Sequence, residues 1–388
     1  MKRRTALLSL GAVLVMANAM TVQAKAILEP VAFAAIDGWA EDDHGAALAA
    51  FRRSCAEIMA GGRAFERAVA FGGKRQQWMA VCQLSEMTGG ARSFFEANFQ
   101  PFKVNDPARA EGLFTGYYEP EVEGSRTPSA RYHVPIYARP GDLVGFDEAT
   151  AKQLGVKYGR SVDGKAAGYF TRKEIEQGAL AGKGLEIAWL TDWADAFFIH
   201  IQGSGRVRLA DGSLIRLAYA AKTGQPYSGI GAILVERGVF SRDRMSMQAT
   251  RAWMKQNGQA ARELMWENKS FIFFREVEVS DPRLGPPGAQ QVSLTPRRSL
   301  AVDRALWMFG TPVWLDTMTP SGPAGKMETF RQLMIAQDTG TAIKGHARGD
   351  VFWGAGEQAA LTAGHMKSAG MMIVLLPRDV AREVANTP

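Results

Sequence analysis

Residues 337–356 read QDTGTAIKGHARGDVFWGAG, and the fold and chemistry of the chain turn on how this run is placed. Asp338 and Asp350 sit among glycines and other small residues, which let a backbone come close to a ligand. Apolar segments flank the run, with Phe330, Leu333, Met334 and Ile335 before it and Val351, Phe352 and Trp353 at its end. The two carboxyl groups are therefore expected at a strand-to-loop edge beside a core. Desolvation there raises a carboxyl pKa and suits it to donate a proton. The run has a plainer account as well, in which Asp338 forms an Asx-turn with Thr339 and Gly340 while Asp350 caps a turn.

The rest of the chain narrows the choice. At 388 residues it is long for one domain, so two lobes are expected, and its 46% hydrophobic content is that of a globular protein. Its first residues, MKRRTALLSLGAVLVMANAMTVQA, combine a basic start, an apolar run and a small-residue ending, the pattern of a secretory signal peptide over residues 1–24. A single membrane anchor is the competing account, but Ser9, Asn18 and Thr21 interrupt the apolar run. No cysteine follows it to carry a lipid, and no later stretch reaches transmembrane length.

The formal charge is +7, and removal of Lys2, Arg3 and Arg4 with the signal leaves +4. That mild excess suits an anionic polymer, but no Lys/Arg stripe of a nucleic-acid binder accompanies it. Cys55 and Cys82 are the two cysteines of an exported chain and are expected to form one structural disulfide. No metal is expected, because the five histidines show no HxxxH or HExxH spacing. No cofactor is expected either.

From residue 42 to about 98 the pattern is helical. Leu48, Phe51, Cys55 and Ile58 recur at three- and four-residue steps, and a second helix over residues 76–85 carries Trp78, Val81 and Cys82 on one face. At residue 111 the texture changes to short aromatic and β-branched runs punctuated by glycine and proline, as in a small β-rich lobe. Residues 171–177 read as a helix. Residues 186–190 and 196–202 read as strands, the latter placing His200 in an alternating FFIHIQ, and a hairpin turning at Asp211-Gly212 follows. Helical patterns return over residues 233–237 and 245–267, and residues 271–277 read as a strand. Strand-sized segments then follow at residues 292–294, 300–302, 312–315, 330–335, 351–353 and 371–376.

Two further stretches look ligand-facing. In Gly116-Tyr117-Tyr118-Glu119-Pro120 one tyrosine ring can face the core and the other stack on a sugar, unless both simply pack inside. In Gln202-Gly203-Ser204-Gly205 the amide and hydroxyl can bind hydroxyl or acetamido groups, although a tight turn explains the glycines as well. This GSG lacks the Gly-Lys-Ser/Thr ending of a phosphate loop, and Ser204 lacks a G-x-S-x-G elbow.

Taken together, GYYEP (116–120), FFIHIQGSGRV (197–207), LTPRRSLAVDRALWMFGTPVWL (294–315) and AQDTGTAIKGHARGDVFWGAG (336–356) resemble the membrane-bound lytic murein transglycosylase A family. The last two segments resemble its C-terminal 3D domain, named for three aspartates that fall here on Asp303, Asp338 and Asp350. The motifs keep the family's order from about residue 111 to 376. Arg304 replaces the proline usual after the first aspartate, Met308-Phe309 replaces the usual Pro-Leu, and the lipid-attachment cysteine is missing.

The resemblance implies a mainly β protein with a helical N-terminal part. A double-psi β-barrel would be formed by residues 25–110 and 241–388, a second small β domain over residues 111–240 would be inserted into it, and a groove would lie between them. It also implies cleavage of the β-1,4 bond between N-acetylmuramic acid and N-acetylglucosamine in peptidoglycan glycan strands without water, leaving a 1,6-anhydro ring. By its motifs the catalytic aspartate falls on Asp350, the second on Asp338, and Asp303 supports them. Tyr118, Gln202, Ser204 and Gly205 would line the glycan groove, with Lys344 and Arg348 supplying positive charge toward lactyl or peptide carboxylates. The expected location is the periplasm, free or peripheral to the outer membrane, with other cell-wall enzymes as candidate partners. Two other functions suit the same residues: a hydrolytic glycosidase using Asp338 and Asp350 as a pair, and a peptidoglycan-binding protein without activity.

Overall fold

The structure is a computed structural model that describes residues 27–242, 244–279, 281–321 and 326–386. The expected signal peptide lies outside the described residues. Among the described residues no helix is long and apolar enough to cross a membrane.

The chain divides into two compact units. One holds the described residues up to Gly116 together with Pro287–Trp353 and the segment from Met366 onward, and the other holds Tyr117–Pro286 and Gly354–His365.

In the first unit the chain begins with strand β1 (Leu28–Pro30) and three helices, α1 (His44–Met59), α2 (Arg75–Met87) and α3 (Ala91–Asn98). Asp43 caps α1 by accepting from the Ala46 N–H at 3.0 Å, one of the donors a helix start leaves unpaired. The three- and four-residue recurrence of Leu48, Phe51, Cys55 and Ile58 buries one stripe of α1 against Trp78, Val81 and Cys82 of α2 and Phe94 and Phe95 of α3. Cys55 and Cys82 form a disulfide across α1 and α2, with Cα atoms 5.3 Å apart.

Strands β2 (Phe99–Val104) and β3 (Gly112–Glu119) follow. After the second unit the chain returns as β13 (Ser299–Val302), β14 (Pro312–Ser321), β15 (Lys326–Asp338), β16 (Arg348–Ala355) and β17 (Lys367–Pro377). The pairing order β17-β14-β15-β13-β16-β3, closed by β3 on β17, makes a six-stranded barrel. Alternate residues fill its interior: Phe114, Leu300, Val302, Val313, Leu315, Met334, Ala336, Val351, Met372 and Val374. The residues between several of them, Trp314, Leu333, Ile335, Ile373 and Leu375, point outward into the helical layer. Strands covered on both faces carry unbroken apolar runs, as 312–315 and 371–376 do.

The second unit carries β4 (Glu121–Ser125), β5 (Val134–Tyr137), β6 (Val144–Gly145), β7 (Tyr158–Val162), β8 (Lys165–Gly168), β9 (Glu186–Leu190), β10 (Ser204–Arg208), β11 (Leu214–Lys222) and β12 (Ile272–Val277). They form a six-stranded sheet, β12-β11-β10-β4-β9-β5, and a three-stranded one, β6-β7-β8. Three expectations are corrected here. Residues 196–202 belong to a helix, Trp193–Gln202, because Asp192 caps its start and Gly203, at φ +75°, ends it. Its Phe197, Phe198, Ile199 and His200 are all buried, so a helix enclosed on every side imitated the alternation of a strand.

Residues 292–294 form no strand, only an isolated bridge from Ser293 to Pro287. The insert also reaches past residue 240: β12 pairs with β11, and the helices Met247–Gln256 and Gly258–Glu267 bury Met254, Leu264 and Met265 against Phe197 and Phe198. Residues 354–365 join it as well.

The Cys55–Cys82 link spans a sequence separation of 27. Replacing both cysteines by alanine is expected to lower unfolding free energy by about 3 to 4 kcal/mol through the freed chain entropy. Urea denaturation of the double variant measures the loss.

Candidate active site

The site is built by strand register. β13 pairs with β15 in parallel and with β16 antiparallel, and one residue, Ala301, stands opposite Asp338 on one side and Asp350 on the other. Neighbouring strands lie about 4.8 Å apart, so the two aspartate Cα atoms are separated by roughly 10 Å. Leu300 and Val302, on either side of Ala301, point into the barrel interior, so Ala301 and both aspartates lie on the outer face of the wall.

Parity alone would not place Asp338 there. The register runs Ser299↔Ile335, Leu300↔Ala336, then jumps to Ala301↔Asp338. Gln337 is the extra residue of a bulge, and without it Asp338 would fall opposite Val302.

β3 completes the outer face from the other side of β16. Phe114 is an interior residue, so Thr115 faces outward, and its hydroxyl donates to Asp350 Oδ1 at 2.5 Å. Arg348, two residues before Asp350 on the same face, donates from Nη2 to Thr115 Oγ1 at 2.8 Å and from Nη1 to the Gly349 carbonyl. With an Arg348 N–H on its oxygen, the Thr115 hydroxyl turns its own hydrogen toward Asp350. Gly349 must lack a side chain, since a Cβ there would lie 3.0 Å from Leu300 and 3.2 Å from Phe114 in the packed interior.

Asp350 is an aspartate that its surroundings shift upward. Burial pushes its pKa up, the Arg348 charge and the Thr115 hydrogen bond pull it back, the negative charge of Asp338 pushes it further up, and the net shift is upward. Asp338 accepts on Oδ1 from the backbone N–H groups of Ala289 at 2.8 Å and Thr339 at 2.9 Å.

Asp303 goes the other way. Burial would raise its carboxyl, but the Ala305 N–H at 3.2 Å, Lys344 Nζ at 3.1 Å and the Gly345 N–H at 3.2 Å hold it below its ordinary value. It therefore ties down the loop between the other two aspartates. Asp106 assists by accepting from the Ala347 N–H at 3.4 Å.

The expected substrate-binding residues are placed differently from one another. Tyr118 is 4% exposed and Ser204 5%, so both side chains are largely enclosed. Gln202 accepts the Tyr118 N–H at 3.2 Å, bracing the backbone of the GYYEP stretch. Gly205 is required by packing, because a Cβ would lie 2.9 Å from Ile199. Glu119 is fully buried between Arg206 and Arg216, at 2.7 and 2.8 Å. Lys344 keeps a largely exposed side chain while holding Asp303. Arg348 braces Thr115.

His200 is buried against the Arg172 guanidinium, at 3.0 Å, and burial holds it neutral, well below its ordinary pKa. Among the described residues no group of three or more His, Cys, Asp or Glu could hold a metal ion. Thr115 is the residue that sequence reasoning missed. Its signal was its parity with Leu113 against the buried Phe114 in GLFTGYY.

The family model of the MltA specific insert domain matches residues 113–275, and that of the 3D domain matches residues 298–376. A solved structure of the membrane-bound lytic murein transglycosylase from Agrobacterium tumefaciens is 34% identical, with a TM-score of 0.82 over 92% of this chain and 99% of that one. The chain belongs to the lytic murein transglycosylase A family. The Vibrio cholerae membrane-bound lytic murein transglycosylase A is 34% identical over 262 residues, which is 66% of this chain and 63% of the relative. The Escherichia coli K12 protein of that name is 33% identical over 266 residues, 68% and 65% of the two lengths. The chain thus matches less than two thirds of the length of these curated relatives. The structure of E. coli MltA with bound chitohexaose is 27% identical, with a TM-score of 0.64 over 91% of this chain and 92% of that one. The 3D domain match contains Asp303, Asp338 and Asp350, and the insert match contains Thr115.

A carboxyl group with a raised native pKa adds stability below its unfolded value and loses it as pH rises through the native value. Asp350→Asn is therefore expected to raise the melting temperature at neutral pH, with the gain shrinking as pH falls toward about 4. Calorimetry across that range measures it.

Proposed function

We propose that the chain is a peptidoglycan lytic transglycosylase in which Asp350 acts first as acid and then as base. The observation that carries this is a carboxyl group on the barrel's outer face whose surroundings raise its pKa while a threonine hydroxyl occupies one of its two oxygens. With Thr115 donating to Oδ1, the proton of the acid form resides on Oδ2. From there it passes to the glycosidic oxygen as the bond from the muramyl anomeric carbon breaks, and the leaving N-acetylglucosamine departs as an alcohol. The muramyl residue's own O6 then attacks the anomeric carbon and gives its proton to Oδ2. A 1,6-anhydro ring closes, and the acid is regenerated.

No water enters this sequence, so one carboxyl group serves both proton transfers where a hydrolase needs two. The attacking oxygen is tethered to the reacting carbon, and that proximity stands in for a positioned water. Asp338 is assigned the supporting role of keeping Asp350 protonated, as a nearby like charge does. Asp303 is assigned to holding the loop between them.

The names of the relatives support the reaction class, and the sugar oligomer bound by the E. coli relative supports a β-1,4-linked glycan as substrate. That substrate belongs to the periplasm, the location we infer together with export. We read the barrel as a double-psi type, supported by the parallel β13–β15 pair within the closed ring.

Digestion of purified sacculi followed by product mass analysis tests the proposal. The expected products end in 1,6-anhydromuramic acid, and Asp350→Asn is expected to lose about 10²- to 10⁴-fold in rate, the share of a general acid and base. Products heavier by one water, ending in reducing muramic acid, would assign hydrolysis instead. A folded Asp350→Asn variant with substantial activity would remove Asp350 from the chemistry.

A further inference from the structure

The bulge that turns Asp338 onto the outer face is held by a closed set of buried polar side chains. Gln337, the extra residue, is fully buried, as are Ser54 on α1, Gln290 and Ser299. The Gln337 side-chain amide donates to the Ala50 carbonyl and to Ser54 Oγ, each at 2.9 Å, and its carbonyl accepts from Ser299 Oγ at 2.5 Å. Ser54 Oγ passes its own hydrogen to Gln290 Oε1 at 2.9 Å, and the Gln290 N–H returns to the Gln337 backbone carbonyl at 3.1 Å. Ser299 Oγ accepts from the Thr295 N–H at 2.7 Å. Each of these side chains both donates and accepts, Gln290 Nε2 donating to the Ser54 carbonyl at 3.4 Å, and a satisfied buried network of this kind fixes one geometry.

The network also sets the partner of Asp338. Gln290 is docked on the Gln337 carbonyl, which brings the adjacent Ala289 N–H onto Asp338 Oδ1. A Cβ on Gly288 would lie 2.7 Å from the Gln337 carbonyl oxygen, so the turn fits only a glycine at this approach.

We propose that Gln337, clamped by Ser54, Gln290 and Ser299, is the positioning residue that holds the one-residue bulge and thereby keeps Asp338 on the same face of the wall as Asp350. The proposal rests on the reading of Asp350 as the acid, because its functional consequence runs through that residue. A straight β15 would restore the parity in which Asp338 faces the barrel interior beside Val302. The charge of Asp338 would then no longer support the protonated form of Asp350. A helix bonded to β15 across a sequence separation of 283 residues therefore participates in setting a proton affinity on the far side of β13.

The test follows the Asp350 carboxyl group by carbon-13 NMR against pH in the full chain and in Gln337→Met, Ser54→Ala and Asp338→Asn. Methionine keeps the volume of glutamine and removes its hydrogen bonds. The expected result is a lower Asp350 midpoint in Gln337→Met, of the same sign as in Asp338→Asn, and a smaller shift in Ser54→Ala, which leaves the Ala50 bond in place. In parallel, kcat on glycan strands should fall with KM near that of the unaltered protein, since the reacting centre and not glycan binding is changed. A purely structural role would lower the melting temperature and leave the midpoint where it was.

An Asp350 midpoint unmoved in Gln337→Met overturns the proposal. Should that variant not fold, an unmoved midpoint in Ser54→Ala overturns it. The titration needs no turnover, so it stands apart from the acid assignment: an active Asp350→Asn variant would end that assignment, whereas an inactive one beside an unmoved Gln337→Met midpoint would end only the clamp.

Discussion

Closure of the barrel by β3 is the constraint on which the rest depends. This strand comes from residues 112–119, pairs with β17 through Lys367↔Thr115 and lies next to β16. Without it the sheet would end at β16 with an open row of unpaired backbone groups, and Asp350 would stand on an edge in water. With it, Thr115 sits within hydrogen-bonding distance of Asp350, the wall beneath is packed by Phe114, Leu300 and Val351, and the carboxyl group loses much of its solvent. The tertiary fold thus creates the desolvation, and the desolvation raises the Asp350 carboxyl pKa on which its proposed role as acid rests.

The proton affinity of Asp350 is set by opposing influences, of which burial is the largest. Burial and the charge of Asp338 favour the proton, whereas Arg348 and the Thr115 hydrogen bond favour its loss. Asp303 is also buried, yet three donors turn it into a firm carboxylate. At Asp303 three donors outweigh burial, whereas at Asp350 burial is the largest influence and the Thr115 hydroxyl and the Arg348 charge do not offset it. One barrel therefore holds a carboxyl group shifted upward, Asp350 on β16, and a carboxylate loop anchor, Asp303 just after β13.

The sequence made some of this legible. The helical stripe of α1 follows directly from its spacing, and two cysteines allow one pairing. The barrel strands announced themselves by apolar runs, but their ends did not: residues 330–335 grew to Lys326–Asp338 because the added residues include an exposed polar hairpin arm with no core to mark it. FFIHIQ misled because a helix buried all round carries no polar face, and the informative signals were Asp192 and Gly203 at its ends. The site was legible only in its aspartates. Thr115 is a lone hydroxyl 235 residues from its partner, so the alternation of GLFTGYY gives its face but not its contact, and the Gln337 bulge depends on Ser54 and leaves no local pattern. The tyrosine pair and the GSG turn looked ligand-facing for reasons of chemistry, and the structure adds packing of Gly205 on Ile199 and the Glu119 ion pairs beside them, which the sequence did not announce.

The central claim is that a protonated Asp350 starts the reaction, and the pH dependence of kcat/KM on isolated glycan strands tests it most directly. The account predicts a rate constant that declines as pH rises through the elevated Asp350 value, because free enzyme must carry the proton before the glycosidic bond can break. A rate constant that instead climbs through the carboxylate range and stays level above it would mean that ionised carboxylate begins the reaction, and the account would be wrong.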